Sequence, residues 1–387
     1  MSTDLRIDRV RVYAVGPQAP RYAWAEGMNE QFMTNNIVRL STRDGLEGFA
    51  AAASFSEGGF DLSVVETIRH LAPLVIGVSA HDREAFWHRL RNYNIPQAPQ
   101  AHSAIDIALW DLAAKSVGLP LYRMLGGHRS RILSYASTPL LQDVEAYLAF
   151  MADLHTAGFR AIKFHSWCRP RQDLALARAA HDRFGARLAL MLDVEQRYTR
   201  EEALSVARAL EELDFHWFEA PLIDTDLIGY RELRRRAAVP ILPAGNWLLD
   251  SHLIALGIGL DAWSSVRVDA TIAGGITSTL KIMALAEAAG MTCELQCWGY
   301  TLTQAANLHL MLARPNCRYF EQPVPYAAFE AGSLDVIRTD AEGYVHAPPG
   351  DGLGIRLDWP EIESASLISY ELSTSADAVA ISGKMAR

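Results

Sequence analysis

Eight short apolar runs, separated by amphipathic stretches, fill residues 132–321, and this rhythm constrains the fold more than any other feature of the chain. The runs are Ile132–Ala136, Gly158–Phe164, Leu188–Asp193, Phe215–Glu219, Val239–Ala244, Ala262–Val268, Met291–Leu295 and Arg318–Phe320. The stretches between them carry helical periodicity; over Arg200–Leu213, Ala203, Val206, Ala207 and Leu210 share one face. Strands alternating with helices over this span predict a parallel βα barrel. An open doubly wound sheet is the alternative, because strand count alone does not close a barrel.

Every run after the first stops at a residue with a functional group. Lys163 and His165 end the second, Asp193 the third, Glu219 the fourth, Asn246 the fifth, Asp269 the sixth, Gln296 the seventh and Glu321 the eighth. Successive positions lie 23 to 30 residues apart, the length of one βα unit, which places all of them at the C-terminal mouth of a barrel, where active sites sit. Asp193, Glu219 and Asn246 offer only oxygen, a set that suits Mg²⁺, with Mn²⁺ as the alternative, rather than zinc. The competing reading, carboxylates that cap the following helices, explains one such residue better than a set in register. Lys163 and His165, one residue apart on a strand, point the same way, and either can serve as general base. A neighbouring divalent cation disfavours the ammonium form of the lysine. The combination points to abstraction of a proton α to a carboxylate, with the metal absorbing the developing charge. Glu321, if protonated, would donate to the same oxygens.

The N-terminal part reads differently. Ile7–Val15 alternates, Asn36–Leu40 leads through the turn Arg43-Asp44-Gly45 into Glu47-Gly48-Phe49-Ala50, and the result is a hairpin or three-stranded meander. Helical patterns follow over 61–76 and 81–91. A third helix is expected to start at Ser103, where Ser103 and Asp106 have capping-box spacing, and to stop at Gly118 and Pro120. Beyond 345, Pro348-Pro349-Gly350 opens a loop, and the final fifteen residues, rich in Ala and Ser, read as a mobile tail. The domains expected are 1–130, 131–345 and 346–387, the last completing the first.

Half the chain is hydrophobic and the formal net charge is −9, which excludes dominant disorder and gives a nucleic-acid partner no basic stripe. No uncharged apolar run reaches membrane-spanning length and no signal-peptide core precedes Arg11, so a cytoplasmic location is expected. Cys168, Cys293, Cys297 and Cys317 are too few to staple a chain this long, and they lack the paired spacing of a thiol metal site.

These residues resemble the enolase superfamily, specifically its mandelate racemase-like branch, over nearly the whole chain. The resemblance rests on Ser103-Ala-Ile-Asp-Ile-Ala-Leu-Trp-Asp111, Leu192-Asp193, Trp217-Phe-Glu-Ala-Pro221, Asp269 with Gly274-Gly275-Ile276-Thr277, and Ala305-Ala-Asn-Leu-His-Leu310 leading to Tyr319-Phe-Glu321. It implies an α+β capping domain, built from both termini, over a (β/α)₇β barrel. It also implies bound Mg²⁺, a small carboxylate substrate such as a sugar acid, an enolate intermediate, and a homo-oligomer, dimer or octamer. Loops around 16–30 and 52–60 would close over the substrate, making Arg21, Tyr22, Trp24 and Phe55 candidates for binding it; Trp298, beside the mouth, either lines the pocket or packs at its rim.

Three residues depart from the family's pattern. Asn246 stands where a third acidic ligand is usual, and glucarate dehydratases of the superfamily share that asparagine. His165 replaces the second lysine of Lys-x-Lys. Gln296 replaces the histidine that pairs with Asp269, and an amide cannot exchange protons as an acid–base catalyst. A two-base racemase is thereby disfavoured, and syn dehydration of a sugar acid from one face fits best. An epimerase or cycloisomerase remains the enzymatic alternative, and a degenerate member that binds metal and sugar acid without turnover the non-enzymatic one. His309 and His128 are read as structural, and Gly274-Gly275 as close packing rather than an anion site.

Overall fold

The computed structural model describes residues 5–92, 97–374 and 380–383. Three strands begin the chain: β1 (Ile7–Val15), β2 (Phe32–Thr42) and β3 (Glu47–Ser56). The β2–β3 hairpin turns through Gly45 at φ +85°, a backbone conformation that glycine adopts without strain. Helices Ser63–Val75, Arg83–Arg91 and Pro99–Ser116 follow; the first and third pack on this sheet, and the second packs on the third.

Eight parallel strands follow: β4 (Arg131–Thr138), β5 (Ala161–His165), β6 (Ala189–Asp193), β7 (Trp217–Glu219), β8 (Ile241–Leu242), β9 (Ser265–Val268), β10 (Thr292–Leu295) and β11 (Tyr319–Pro323), with a helix between each successive pair. They pair in the order β11-β4-β5-β6-β7-β8, and β9 pairs with β10. Single hydrogen bonds close the ring: Ser264 N donates to Ile241 O at 2.9 Å and Cys293 N to Asn316 O at 2.7 Å. The fold is a (β/α)₇β barrel, not an open sheet. After it, β12 (Tyr344–His346) pairs antiparallel with β4. The chain then returns to the first sheet, where β13 (Ser366–Ser373) lies against β1 and β14 (Ala380–Gly383) against β13. Both ends of the chain thus build the capping domain. The expected loose tail is corrected at 380–383, which form an edge strand; 375–379 and 384–387 lie outside the described residues.

The helix expected from Ser103 begins at Pro99, so the capping-box reading of Ser103 and Asp106 is also corrected. Both side chains work across the domain junction instead. The Ser103 hydroxyl accepts Gly274 N at 2.9 Å, while the Asp106 carboxylate accepts Thr277 N at 3.0 Å and Thr277 Oγ1 at 2.6 Å. Asp106 is the anion at the N-terminus of barrel helix Gly275–Ala288, where free N–H groups favour negative charge. A Cβ on Gly275, whose φ is +88°, would stand 2.2 Å from Asp106 Oδ2, so the paired glycines are there for close packing. His309, buried, accepts Tyr122 N through Nδ1 at 3.0 Å and donates from Nε2 to Leu353 O at 3.1 Å, a structural tie between barrel and cap. Among the described residues no helix is long and apolar enough to cross a membrane.

Candidate active site

Strand register sets the floor of the site. His165 pairs with Asp193, and Asp193 with Glu219, so three functional groups stand side by side at the ends of β5, β6 and β7. Side chains alternate along β5: Lys163 and His165 turn inward, while Phe164 packs outward with Tyr147 and Phe215. Asn246 lies in the loop after β8, whose amides are gathered by the buried Asp224 carboxylate: Ala244 N at 2.8 Å, Gly245 N at 3.3 Å and Trp247 N at 3.0 Å. Asp269 follows β9 and Gln296 follows β10, while Glu321 lies within β11. All eight line one cavity of about 380 Å³ beneath the capping domain.

Two buried cations organise the carboxylates. Lys163 Nζ lies 2.9 Å from Asp193 Oδ2, 2.8 Å from Glu219 Oε1 and 3.0 Å from Glu321 Oε1. Arg267 Nη2 lies 2.8 Å from Glu219 Oε1, 3.0 Å from Glu321 Oε2 and 3.0 Å from the Tyr135 hydroxyl. Trp217 Nε1 donates to the other Glu219 oxygen at 3.0 Å. Burial disfavours the charged form of Lys163, yet the carboxylates of Glu219, Glu321 and Asp193 outweigh it and raise its pKa. For Glu321, burial pushes up, but Arg267 and Lys163 prevail and the carboxyl is held below its usual range. Glu321 therefore stands as an acceptor among donors, an arrangement that does not favour the protonated carboxyl on which its donating role would depend. Cys297 N and Trp298 Nε1 complete its shell at 3.1 and 3.2 Å.

His165 is enclosed on both ring nitrogens. Nδ1 faces the Thr138 carbonyl, to which it donates, and Nε2 lies 3.2 Å from both Asp193 Oδ2 and Glu195 Oε1. A lone pair on Nε2 would oppose two carboxylates, so the ring carries both protons. Burial alone lowers its pKa, but the Asp193 charge and the hydrogen bonds to Asp193 and Glu195 overcome this and raise it to about 10.

On the other side of the cavity, Asp269 Oδ1 accepts Asn307 Nδ2 at 2.7 Å, Thr271 N at 2.7 Å and Thr271 Oγ1 at 2.9 Å. Burial, partly offset by these bonds, raises its pKa to about 6. Asn307 also accepts Ala270 N through Oδ1 at 2.9 Å, which gives the Ala305–Leu310 motif its purpose: it holds the loop that carries Asp269. The Gln296 amide donates to the Ala244 carbonyl.

The roof is aromatic. Trp24 meets Phe55 at 5.6 Å and Trp298 at 5.0 Å between ring centroids, and Trp298 lies edge-on to His165 at 5.8 Å. Trp24, Phe55 and Trp298 line the cavity; Arg21 and Tyr22 do not. Arg21 stacks on Phe32 at 4.2 Å in a separate recess, and Tyr22 packs against the apolar cluster of Met33, Ala53 and Phe329. Sequence reasoning missed Arg267 and Glu195. A charged residue within the apolar run Ala262–Val268, two before Asp269 and so on the same face, was the available signal for Arg267. Glu195 sits in a loop at φ +50°, and nothing in its sequence context distinguishes it.

Oxygen donors are in excess here, and the ammonium of Lys163 already bridges Asp193 and Glu219, so the mouth is built to hold a cation. Ligand atoms of His165, Asp193 and Glu195 lie within 4.8 Å of one another. The carboxylates of Asp193 and Glu195, with Glu219 and Asn246 lining the same cavity, are oxygen donors that suit a hard divalent ion. No thiol joins it: Cys293, Cys297 and Cys317 are free and buried.

Comparison with known proteins agrees with this geometry. Residues 9–126 match the family described as mandelate racemase / muconate lactonizing enzyme, N-terminal domain, and residues 146–362 match the enolase C-terminal domain-like family. The chain belongs to the mandelate racemase-like branch of the enolase superfamily. Its relatives in that superfamily include the 3,6-anhydro-alpha-L-galactonate cycloisomerase of Streptomyces coelicolor, 30% identical over 84% of this chain and 89% of that protein. A solved mandelate racemase/muconate lactonizing enzyme-type structure from Pseudovibrio superposes with a TM-score of 0.93 at 42% identity, covering 95% of this chain and 99% of that one. The D-glucarate dehydratase of Agrobacterium tumefaciens, solved with magnesium, superposes at 0.80 with 28% identity, over 94% and 100% of the two chains. Members similar to this chain are thus enzymes, among them dehydratases, cycloisomerases and racemases.

Proposed function

We propose that this member of the superfamily removes the proton α to the carboxylate of a sugar acid and dehydrates it to a 2-keto-3-deoxy acid. The observation that carries the reading is the one-sidedness of the site. Lys163 and His165 stand on one side of the cavity, while the other side offers Asp269, tied to Asn307 and Thr271, and the uncharged Gln296. Exchange on both faces of a carbon needs two acid–base groups, whereas syn elimination needs one.

Asp193, Glu219 and Asn246 would hold Mg²⁺, with Glu195 beside them. When bound, that ion supplies Lewis-acid stabilisation of the substrate carboxylate and offsets the acidic charge that keeps His165 protonated. With that charge offset, the His165 imidazolium would release its Nε2 proton to solvent and the neutral ring would take the α-proton: the C–H bond breaks, an N–H bond forms at Nε2 and the electron pair moves into the carboxylate as an enediolate. The same ring returns the proton to the β-hydroxyl, the C–O bond breaks, water leaves, and the enol tautomerises to the ketone. With Asp193 and Glu219 turned to the ion, Lys163 would be free to donate to the substrate carboxylate, held in place by Glu321, which Arg267 anchors in turn. Trp24, Phe55 and Trp298 exclude bulk water.

Proton NMR in D₂O with Mg²⁺ and a sugar-acid panel tests the proposal. Loss of the α-proton signal with appearance of a keto-deoxy acid is the expected result, and His165→Asn should reduce turnover by about 10² or more. Deuterium at the α-carbon without elimination would replace dehydration by epimerisation, and a cyclised or ring-opened product by cycloisomerisation. Full turnover in both His165→Asn and Lys163→Ala would overturn the assignment of the base.

A further inference from the structure

The two ends of the cavity differ in charge. Each cationic side chain that lines it, Lys163, His165 and Arg267, belongs to a barrel strand and lies at the floor. The wall contributed by the capping domain is aromatic and amide: Trp24, Phe55, Gln31, Ser54 and Gln100. Among the described residues, no Lys, Arg or His of that domain lines the cavity. The segment 93–96, outside the description, is Tyr-Asn-Ile-Pro and holds no cation. Two cations near the roof have other partners: Arg21 lies over Phe32, and Arg169 pairs with Glu26. The ionisable groups that enter from barrel loops, Glu195 and Asp269, are acidic.

We infer that the substrate is a monocarboxylate whose far end is uncharged, an aldonic acid or a cyclic derivative of one, rather than a dicarboxylate. The inference takes from the proposed function which end of the molecule reacts and the divalent ion held there. A carboxylate at the floor meets that ion beside Lys163, where the acids Asp193, Glu195, Glu219, Asp269 and Glu321 otherwise outnumber the cations. A second one, at the other end of a cavity of about 380 Å³, would lose water with no counterion, against ring systems whose faces are electronegative and within reach of Glu195. Hydroxyl groups meet no such opposition: Gln31, Ser54 and Gln100 both donate and accept, and C–H faces of a sugar chain pack on Trp24 and Phe55. The wall therefore selects by leaving the wrong partner's charge unpaired.

The test pairs each aldonate with the aldarate of the same stereochemistry, gluconate with glucarate and galactonate with galactarate. Two readouts are taken with Mg²⁺ present: equilibrium binding by quenching of the wall tryptophans, and α-proton exchange in D₂O. The best monoacid should exceed its diacid partner by roughly 10² in binding or in kcat/KM. Gln31→Arg, which adds a cation to the far wall, should narrow or reverse that ratio. Equal or tighter binding of the aldarates to the wild-type protein, or binding of neither class, overturns the inference. Selective monoacid binding with no exchange supports the substrate class while refuting the proposed reaction. Exchange of aldarates as fast as aldonates refutes the substrate class and leaves the reaction standing.

Discussion

Arg267→Met offers the sharpest check on how this site is held together. Arg267 is 1% exposed and shares one nitrogen among Glu219, Glu321 and the Tyr135 hydroxyl, at 2.8, 3.0 and 3.0 Å. Methionine fills similar volume, so the loss is electrostatic: two buried carboxylates keep only Lys163 as cation. Removing one partner of a buried pair costs about 3–5 kcal/mol, and because Lys163 remains within 3.0 Å of both acids the lower end, about 3 kcal/mol, is expected. Urea denaturation with a constant slope measures it. The cost is an uncompensated charge, so neutralising its partner should relieve it: Arg267→Met/Glu321→Gln should lose less than the two single changes combined, by about 1–2 kcal/mol. The pH dependence carries the same information. In the wild type the lowered Glu321 pKa stabilises the fold at neutral pH, and that contribution is lost as pH falls through the folded-state value. Without Arg267, burial raises the Glu321 pKa, so the deficit of the variant should shrink on acidification. A loss under about 1 kcal/mol, or strict additivity in the double variant, would refute the argument.

Two further predictions concern the junction and the cation. Burial raises Asp106 from 3.8 to about 6, so its contribution is full below pH 3.8 and lost as pH rises through about 6. Asp106→Asn removes that titration, and its stability relative to wild type should improve by up to about 3 kcal/mol between those limits, read from denaturation at several pH values; a flat difference would contradict it. At the proposed ion site, Mn²⁺ binding followed by electron paramagnetic resonance should weaken by tenfold or so in Asp193→Asn and tighten in Asn246→Asp, since ligand charge sets affinity. Unchanged affinity in Asn246→Asp would remove Asn246 from the ligand set.

Much of the site was legible because strand ends have a period. One βα unit consumes a nearly constant length, so Lys163, Asp193, Glu219, Asn246, Asp269, Gln296 and Glu321 could be aligned at one mouth before any coordinates. The illegible residues follow a different rule. Arg21 and Tyr22 sit in an irregular loop, where position does not set direction, and they turned away from the cavity while Trp24 turned in. Ser103 and Asp106 carry a local capping signal that the helix does not use, because a stronger demand, the bare N-terminus of helix Gly275–Ala288, lies 171 residues away.

The sequence by itself determined the eight-strand rhythm, the inward side of each strand and the chemistry at its end, since these depend on periodicities of two residues and of one βα unit. The tertiary structure decided the charge surroundings. That Glu321 faces two cations, that both ring nitrogens of His165 face acceptors and that the cap wall, among the described residues, lacks a cation all depend on distances between residues tens to hundreds of positions apart. Electrostatic energy in a buried site varies with separation and desolvation, and neither is encoded in spacing along the chain.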